Sequence, residues 1–319
     1  MKKIYIGLTG GLGNQLFQYA AGRSCVAEGT LYLFSCLGVP RSSENGPDIL
    51  DFDLGKDVKI LPCDHRHILS KKFYNLLVSL TVGKRGWILK ISFFQHLVTF
   101  LARQIFRMEL GVKAKIFISK GIGYSFIKED RGNLFPIGYF QTHKSLVTGE
   151  RCLQSSDLSL TRHNPEIDRL RSQSLETYPL IVHVRLGDYK LESSFGILDS
   201  QYYSAAIDSA MSDATIKEIW LFSDETDLAL TRIPQMHLPM TKVLNLNDFS
   251  PAEVLEVMRF GHAYVIANST FSWWGAFLAY KENARVIAPS RWFRNMAEPL
   301  DLIPDTWERF PCRLELGIE

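Results

Sequence analysis

The chain has 319 residues, enough for a large buried core and, at typical domain sizes, for two domains. Apolar residues make up 46% of it and charged residues 22%, a composition that excludes a disordered chain. Its 36 Lys and Arg against 34 Asp and Glu give a formal net charge of +2, so no overall basic field favours nucleic-acid binding and any anion site must be local. The five cysteines are scattered without a Cys-x-x-Cys pair, which argues against a disulfide framework or a zinc ribbon and favours a reducing compartment.

The chain begins with one βαβ unit and continues into a less regular middle. Periodicity predicts a strand at 3–9, a helix at 14–28 and a strand at 30–34. The segments 71–82 and 87–110 look helical, and we expect a helical insert that packs on its own domain. A second interpretation makes them a cationic amphipathic face for an anionic membrane surface. The basic residues that suggest it are Lys71, Lys72, Lys84, Arg85 and Lys90.

A glycine-rich turn joins the first strand to the first helix. The turn reads Gly10-Gly11-Leu12-Gly13-Asn14-Gln15, and its glycines let the backbone approach a ligand at a helix amino terminus. It is neither a dinucleotide fingerprint nor a Walker loop, because the third glycine and the Gly-Lys-Ser/Thr sequence are absent. A tight turn alone would explain the glycines. The polar side chains of Asn14 and Gln15 at the mouth of the turn make a ligand-facing role an equal alternative.

Strand-like runs alternate with helical segments throughout the carboxy-terminal half. The capping box Ser250-Pro251-Ala252-Glu253 marks one helix start. Strict alternation of this kind predicts a doubly wound parallel sheet. The predicted strands are 179–184, 217–222, 240–246, 262–267 and 284–288, and the predicted helices are 199–212, 225–230, 250–260 and 271–280.

The polar stretch 161–165 suggests a domain boundary. We therefore predict an α/β protein with two Rossmann-like domains, 1–163 and 164–319, that face each other across a cleft. The amino-terminal domain carries the helical insert. Clefts between such domains commonly bind ligands.

The strongest candidate site lies at the carboxyl end of the strand 179–184. The segment reads His183-Val184-Arg185-Leu186-Gly187-Asp188-Tyr189, and strand alternation places His183 and Arg185 on one face. The planar guanidinium of arginine suits phosphate oxygens and stays charged. An Arg185–Asp188 ion pair that holds the loop is a serious structural alternative, but it leaves His183 unexplained. We therefore favour a ligand site.

Polar side chains follow two more predicted strands. After the first of these strands, Asp224 could accept hydrogen bonds from a guanine edge or a ribose, or it could cap the next helix. After the second, the run Asn268-Ser269-Thr270-Phe271-Ser272 places short polar side chains at a helix start, which predicts a neutral anion cradle. Trp273 and Trp274 should pack or line the cleft. Asp51-Phe52-Asp53 resembles a metal-binding Asp-x-Asp, but it lies outside the predicted crevice and is interpreted as structural.

Together these segments resemble the bacterial α-1,2-fucosyltransferases. The resemblance extends from about residue 3 to 292 in the same order. It rests on Gly10-Gly11-Leu12-Gly13-Asn14-Gln15-Leu16-Phe17-Gln18-Tyr19-Ala20, Gly138-Tyr139-Phe140-Gln141, His183-x-Arg185-x-x-Asp188-Tyr189, Phe222-Ser223-Asp224 and Asn268-Ser269-Thr270-Phe271-Ser272-Trp273-Trp274-Gly275. The His-x-Arg-x-x-Asp element alone is shared with α-1,6- and protein O-fucosyltransferases. One departure is Leu186, which stands where the family often has Arg or Lys.

The resemblance implies a two-domain fold of the GT-B type and an inverting galactoside α-1,2-fucosyltransferase. GDP-L-fucose would be the donor, and no metal or other cofactor is expected. The acceptor would be a galactose-terminated oligosaccharide or a lipid-linked glycan precursor of a surface polysaccharide such as O-antigen. By matching motif, Arg185 would bind the diphosphate and Asp224 would read guanine. The other donor-binding residues implied are Asn14, His183, Ser269, Thr270 and Ser272.

Inversion requires a group that removes the proton of the acceptor hydroxyl, and Asp188 is the candidate base, with orientation of Arg185 as its alternative role. Alternatives for the whole chain are another linkage, such as α-1,6 to N-acetylglucosamine, or a non-catalytic protein that binds a GDP-sugar or a glycan. No targeting or membrane-spanning segment is evident, so we expect a cytoplasmic protein, with peripheral contact to the inner face of the bacterial membrane as the second interpretation of the insert.

Overall fold

The chain folds into two units. The computed structural model describes residues 1–26, 28–35, 46–62, 67–82, 92–125, 127, 132–147, 153–190 and 194–316. The first unit comprises Met1–Ser159 with Pro299–Leu302, and the second comprises Leu160–Glu298 with Ile303–Glu319. The sequence-based prediction placed the division between 163 and 164.

A five-stranded parallel sheet forms the centre of the first unit, in the order β4-β2-β1-β6-β5. The central position of β1 explains why its run of apolar residues is buried on both faces. The strands of this unit are β1 Lys2–Gly7, β2 Gly29–Phe34, β3 Phe52–Asp53, β4 Val58–Leu61, β5 Lys115–Ile118 and β6 Leu134–Ile137, and its helices are α1 Leu12–Ser24, α2 Ile68–Thr81, α3 Ser92–Leu110 and α4 Lys144–Val147.

The helices α2 and α3 form the predicted insert of the first unit. They pack against each other, and their inner faces join the apolar core of the sheet through Tyr74, Ala102 and Phe106. The Tyr74 hydroxyl donates to the carbonyl of Gly7, and a side chain at Gly7 would collide with the Tyr74 ring. The expectation that the insert packs on its own unit is confirmed for these helices. Lys84, Arg85 and Lys90 lie outside the described residues.

The second unit is built on a six-stranded parallel sheet. The strands after β6, in chain order, are β7 Ser159–Leu160, β8 Leu180–Val184, β9 Ile197–Leu198, β10 Ile219–Ser223, β11 Thr241–Val243, β12 Ala263–Val265, β13 Arg285–Pro289, β14 Glu308–Phe310 and β15 Leu314–Glu315. The helices are α5 Pro165–Thr177, α6 Ser200–Ala210, α7 Thr226–Leu230, α8 Pro251–Met258 and α9 Thr270–Phe277. Short 3-10 turns occur at Asp48–Asp51, Ser155–Asp157, Asp188–Lys190 and Gln235–Met240.

The order of this sheet, β11-β10-β8-β12-β13-β14, reverses at β8. From β8 the chain adds β10 and β11 on one side and then β12, β13 and β14 on the other. Val182 of β8 pairs with Val265 of β12, and Val184 of β8 pairs with Ser223 of β10, so the carboxyl ends of the three strands meet at one edge. In open α/β sheets this reversal point is where ligands bind. The predicted doubly wound parallel sheet is confirmed, and β14 is a sixth strand that the sequence did not predict.

Local capping fixes the start of two helices in this unit. The Ser250 hydroxyl accepts from the Glu253 N–H and the Glu253 carboxylate accepts from the Ser250 N–H, which confirms the predicted capping box at α8. Asn164 caps α5 by accepting from the Glu166 N–H. The sequence analysis placed a domain boundary at this point and did not predict α5.

In the described part of the chain, none of the helices has the length and apolar character needed to span a bilayer.

Candidate functional site

A single guanidinium stands between two carboxylates where β8 ends. Arg185 Nη2 lies 2.7 Å from Asp188 Oδ1, and Arg185 Nη1 lies 3.1 Å from Asp224 Oδ2. The guanidinium carbon lies 5.6 Å from the centre of the Tyr189 ring. The Arg185 side chain is 29% exposed. Two ion pairs and an aromatic face therefore fix the direction of the fork, while part of it stays open to a ligand.

The Asp224 carboxylate serves the backbone as well as Arg185. Its Oδ1 accepts from the Leu186 N–H at 3.0 Å, and its Oδ2 faces Arg185. A side chain at Gly187 would collide with Asp224 Oδ2, so glycine is what lets the loop after β8 approach this carboxylate. Asp224 thereby joins the loops that follow β8 and β10. The guanine contact expected of Asp224 stays a prediction.

His183 lies on the same side of β8 but is buried. Its residue exposure is 5%, its ring centre lies 6.3 Å from that of Phe271, and its Nδ1 has no hydrogen-bond partner in the described part of the chain. Burial, reinforced by the positive charge of Arg185, lowers the pKa of His183 to about 3. The ring is therefore neutral near pH 7. Strand alternation placed the side chains of His183 and Arg185 on one face, and of these two side chains only that of Arg185 carries a charge.

Some polar residues after β12 hold the start of α9, and one has a side chain that is open to solvent at the edge of the site. The Ser269 hydroxyl accepts from the Phe271 N–H and so caps α9. Ser272 is fully buried, and its hydroxyl donates to the Ser269 carbonyl at 3.3 Å. Thr270 is half-buried and begins the helix. Two of the three hydroxyls expected to bind the donor therefore hold the helix start in place, and Thr270 is the one with a side chain open to solvent.

Asn268 connects loops of the second unit, whereas the sequence analysis assigned it to the predicted anion cradle. Its side-chain nitrogen donates to the backbone carbonyls of Gly196 at 3.3 Å and of Trp292 at 3.1 Å, and its backbone carbonyl accepts from the Tyr189 hydroxyl. The Tyr189 ring also stacks on Phe195 with ring centres 4.9 Å apart. Asn268 therefore ties the loop after β12 to the loop that supports Arg185. No local pattern in the sequence points to this role, because its partners are distant along the chain.

The tryptophans that follow are core residues. Trp273 and Trp274 are both fully buried, and Trp273 stacks on Phe277 and packs against Trp307. Packing, the first of the two expected roles, is therefore the one observed.

A second group of motif residues meets at the reversal point of the first sheet, between β1 and β6. Asn14 in α1 is half-buried, and its Oδ1 accepts from the Gln141 side-chain amide at 2.9 Å. Gln18 links the same two segments, because its amide oxygen accepts from the Thr9 N–H and its nitrogen donates to the Gly138 carbonyl. The glycine-rich turn and the segment 138–141, which are distant in sequence, are therefore neighbours.

The ligand-facing role considered for Gln15 is wrong. Gln15 is fully buried, its nitrogen donates to the Gly10 carbonyl at 2.9 Å, and its oxygen accepts from the Ile49 N–H at 3.1 Å. Both ends of its amide hold the turn together. Gly10 has φ of +75°, a conformation that glycine adopts without strain.

The Asp51–Asp53 segment serves the local backbone, since Asp53 Oδ1 accepts from the Gly55 N–H. Within the described ranges, no group of three or more His, Cys, Asp or Glu side chains is placed to hold a metal ion.

The buried ring of His183 predicts a pH dependence of stability. The pKa of His183 is about 3 in the folded state and 6.5 in its ordinary state. Between these two pH values the unfolded chain therefore binds a proton at His183 and the folded chain does not. The corresponding stability is present above pH 6.5 and is lost progressively as the pH drops from there toward 3. We expect the ring nitrogens of His183 to keep the NMR shifts of a neutral imidazole from pH 8 down to 5. A titration midpoint like that of free histidine would contradict the assignment.

A family model described as glycosyl transferase family 11 matches residues 133–298, just over half of the chain. The chain is 24% identical to an α-1,2-colitosyltransferase of Escherichia coli over 95% of this chain and 97% of that one. It is 26% identical to the O-antigen biosynthesis glycosyltransferase WbnK of E. coli, over 95% and 99% of the two chains.

Two solved structures with a similar course of the chain are also glycosyltransferases. The fucosyltransferase NodZ from Bradyrhizobium is 14% identical, with a TM-score of 0.44 over 87% of this chain and 92% of that one. The ADP-heptose LPS heptosyltransferase II of E. coli is 13% identical, with a TM-score of 0.48 over 97% and 90%.

The matched segment 133–298 contains the Arg185 loop, the Asp224 loop, the start of α9 and the segment 138–141, which are four of the five motifs that resemble the bacterial α-1,2-fucosyltransferases; the motif at 10–20 precedes it. That resemblance is confirmed at the level of the family: the chain belongs to glycosyl transferase family 11.

Proposed function

We propose that the protein is an inverting glycosyltransferase that moves L-fucose from GDP-L-fucose to the 2-hydroxyl of a terminal galactoside. The observation that carries the proposal is the Arg185 fork at the reversal point of the second sheet, in a loop whose Tyr189 hydroxyl bonds the backbone carbonyl of Asn268 just before α9. A partly open guanidinium next to a helix amino terminus suits the diphosphate of a nucleotide sugar. The family and the motif set supply the choice of sugar and linkage.

The chemistry demands fixed donors at the leaving group. Breaking the bond between the sugar and the phosphate builds negative charge on the departing diphosphate and positive character on the sugar. Preorganised donors that meet this charge stabilise the transition state strongly. Arg185 supplies five N–H groups, of which the two ion pairs described engage two, and the first turn of α9 adds backbone N–H groups and the Thr270 hydroxyl. Catalysis in this proposal requires no metal.

The same ion pairs impose a cost on donor binding. Two carboxylates, those of Asp188 and Asp224, share the one guanidinium, and the nearby Lys190 is paired with Glu225. A diphosphate must therefore compete with these carboxylates for Arg185. In this proposal Asp188 gives up its contact with Arg185 to the diphosphate and accepts the proton of the acceptor hydroxyl. Asp224, which is also bonded to the backbone, remains to orient the fork.

The names of the relatives favour one alternative donor and one biological setting. An α-1,2-colitosyltransferase is among the relatives that match nearly the whole chain, so GDP-colitose, whose sugar is the 3-deoxy counterpart of L-fucose, is the second candidate donor. The other relative is named for O-antigen biosynthesis, which supports a surface glycan or its lipid-linked precursor as the acceptor.

The function is tested by incubating the protein with GDP-[14C]fucose or GDP-colitose and a panel of galactosides, with and without EDTA. We expect transfer from GDP-fucose that EDTA does not reduce, and NMR of the product should show an α-1,2 linkage to galactose. An α-1,6 linkage to N-acetylglucosamine would replace the proposed linkage. Preference for GDP-colitose would replace the proposed donor. Neither transfer nor donor hydrolysis across the panel would indicate a binding protein.

The role of the fork is tested by Arg185→Lys. Lysine keeps the charge but cannot reproduce a planar two-point contact, so we expect turnover to fall ~100-fold, or about 3 kcal/mol of transition-state stabilisation. Arg291→Lys, at an exposed arginine, is the matched control and should keep normal turnover. Near-normal turnover of Arg185→Lys on GDP-fucose would contradict the proposal.

The role of Asp188 is tested by Asp188→Asn, which removes one negative charge beside Arg185 and keeps the size of the side chain. We expect GDP to bind more tightly in calorimetry, while kcat falls by about 100-fold because the base is lost. The pH dependence of kcat should lose its acidic limb. Asp248→Asn, at an exposed aspartate, serves as the control. Unchanged turnover of Asp188→Asn would exclude the base role.

A further inference from the structure

The outer face of α3 carries a row of large apolar side chains that faces water. Phe93 is 71% exposed, Phe100 58% and Met108 83%, and these positions repeat at helical spacing. Scattered exposed apolar residues need no explanation, but a contiguous row marks a binding surface. We call this row the outer apolar stripe; its members are Phe93, Phe94, Leu97, Phe100, Leu101 and Met108.

The stripe is not needed for the core of the first unit. The opposite side of α3 is already anchored by Ala102 and Phe106, which are fully buried among the residues of the sheet and of α2. A helix that only packed on its own unit would present polar residues on the outside. Because α3 is apolar on both sides, its outer side is a candidate docking surface.

Cationic side chains border the stripe. At ~100° per residue, Arg103 and Arg107 fall within about 60° of Phe100 along one edge of the stripe, and both are exposed. Lys71 and Lys72 are exposed on the neighbouring α2. Within their described ranges, these two helices contain one acidic residue, Glu109. Glu109 accepts from the backbone N–H groups of Leu69 and Ser70 and so holds the start of α2.

We propose that the outer apolar stripe of α3 docks on an anionic lipid surface. An apolar row bordered by Lys and Arg lies in the membrane interface, with the apolar side chains among the acyl chains and the cations at the headgroups. A second copy of the chain fits this surface less well, because an isologous contact pairs the same patch with itself, and the described parts of α2 and α3 offer Arg103 and Arg107 no acidic residue besides Glu109, which holds the start of α2. This inference concerns α2 and α3 and does not depend on the donor or the chemistry proposed above.

The experiment is co-sedimentation of the full chain with vesicles of phosphatidylcholine alone or mixed with phosphatidylglycerol. We expect binding to the anionic vesicles, weaker binding at high salt, and little binding to phosphatidylcholine alone. The variant Leu97→Gln/Phe100→Gln/Met108→Gln and the variant Arg103→Gln/Arg107→Gln should each lower the partition coefficient at least about tenfold. Because all five side chains are exposed, both variants should keep the melting temperature of the parent chain.

A matched control removes exposed apolar side chains from the second unit. Leu175→Gln/Met236→Gln/Leu316→Gln changes three residues that are 69%, 73% and 53% exposed, and it should bind vesicles as the parent chain does. Three outcomes would overturn the proposal. The first is that the parent chain does not bind anionic vesicles. The second is that the control variant loses as much vesicle binding as the stripe variant does. The third is that the parent chain forms a dimer in solution that does not bind vesicles, and that the stripe variant is a monomer.

Discussion

The guanidinium of Arg185, held between Asp188 and Asp224, is the interaction on which the rest of the site depends. It joins the loops after β8 and β10, and the bond from the Leu186 N–H to Asp224 closes the same connection through the backbone. The third loop, after β12, is tied in by Asn268, whose backbone carbonyl accepts from the Tyr189 hydroxyl. Since β8 lies between β10 and β12, these are the three loops that a reversal in strand order brings together.

The site has a guanidinium of fixed orientation but little net positive charge. His183 is neutral because it is buried beside Arg185, and two carboxylates stand against one guanidinium. In the proposed function, a diphosphate at this site would be recognised by the direction of the Arg185 guanidinium and by the N–H groups at the start of α9 rather than by a cluster of positive charges. The whole chain has the same character, with a formal net charge of only +2. In that proposal, the near-zero net charge would favour a nucleotide sugar over polyanions such as nucleic acid.

In the helical insert, the spacing of apolar residues predicts helices but does not predict which face of α3 is buried. Its pattern predicted helices correctly, and the fold confirms that one side of α3 packs on the first unit. Apolar residues lie on both sides of α3, so the sequence could not say which side is inside. Only the burial of Ala102 and Phe106, against the exposure of Phe93 and Met108, assigns the two faces.

The sequence by itself determined the α/β class, the parallel sheet of the second unit and the position of each motif, because buried runs, glycine turns and the capping box are local patterns. It missed α5, a largely polar helix in which Ile167 and Leu170 are the buried apolar residues, and β6, where Pro136 interrupts the strand pattern. The tertiary structure alone decided which motif residues hold the fold and which keep an open side chain. Asp224 meets Leu186 across 38 positions and Asn268 meets Gly196 across 72, and such contacts arise from strand order, which no local pattern encodes.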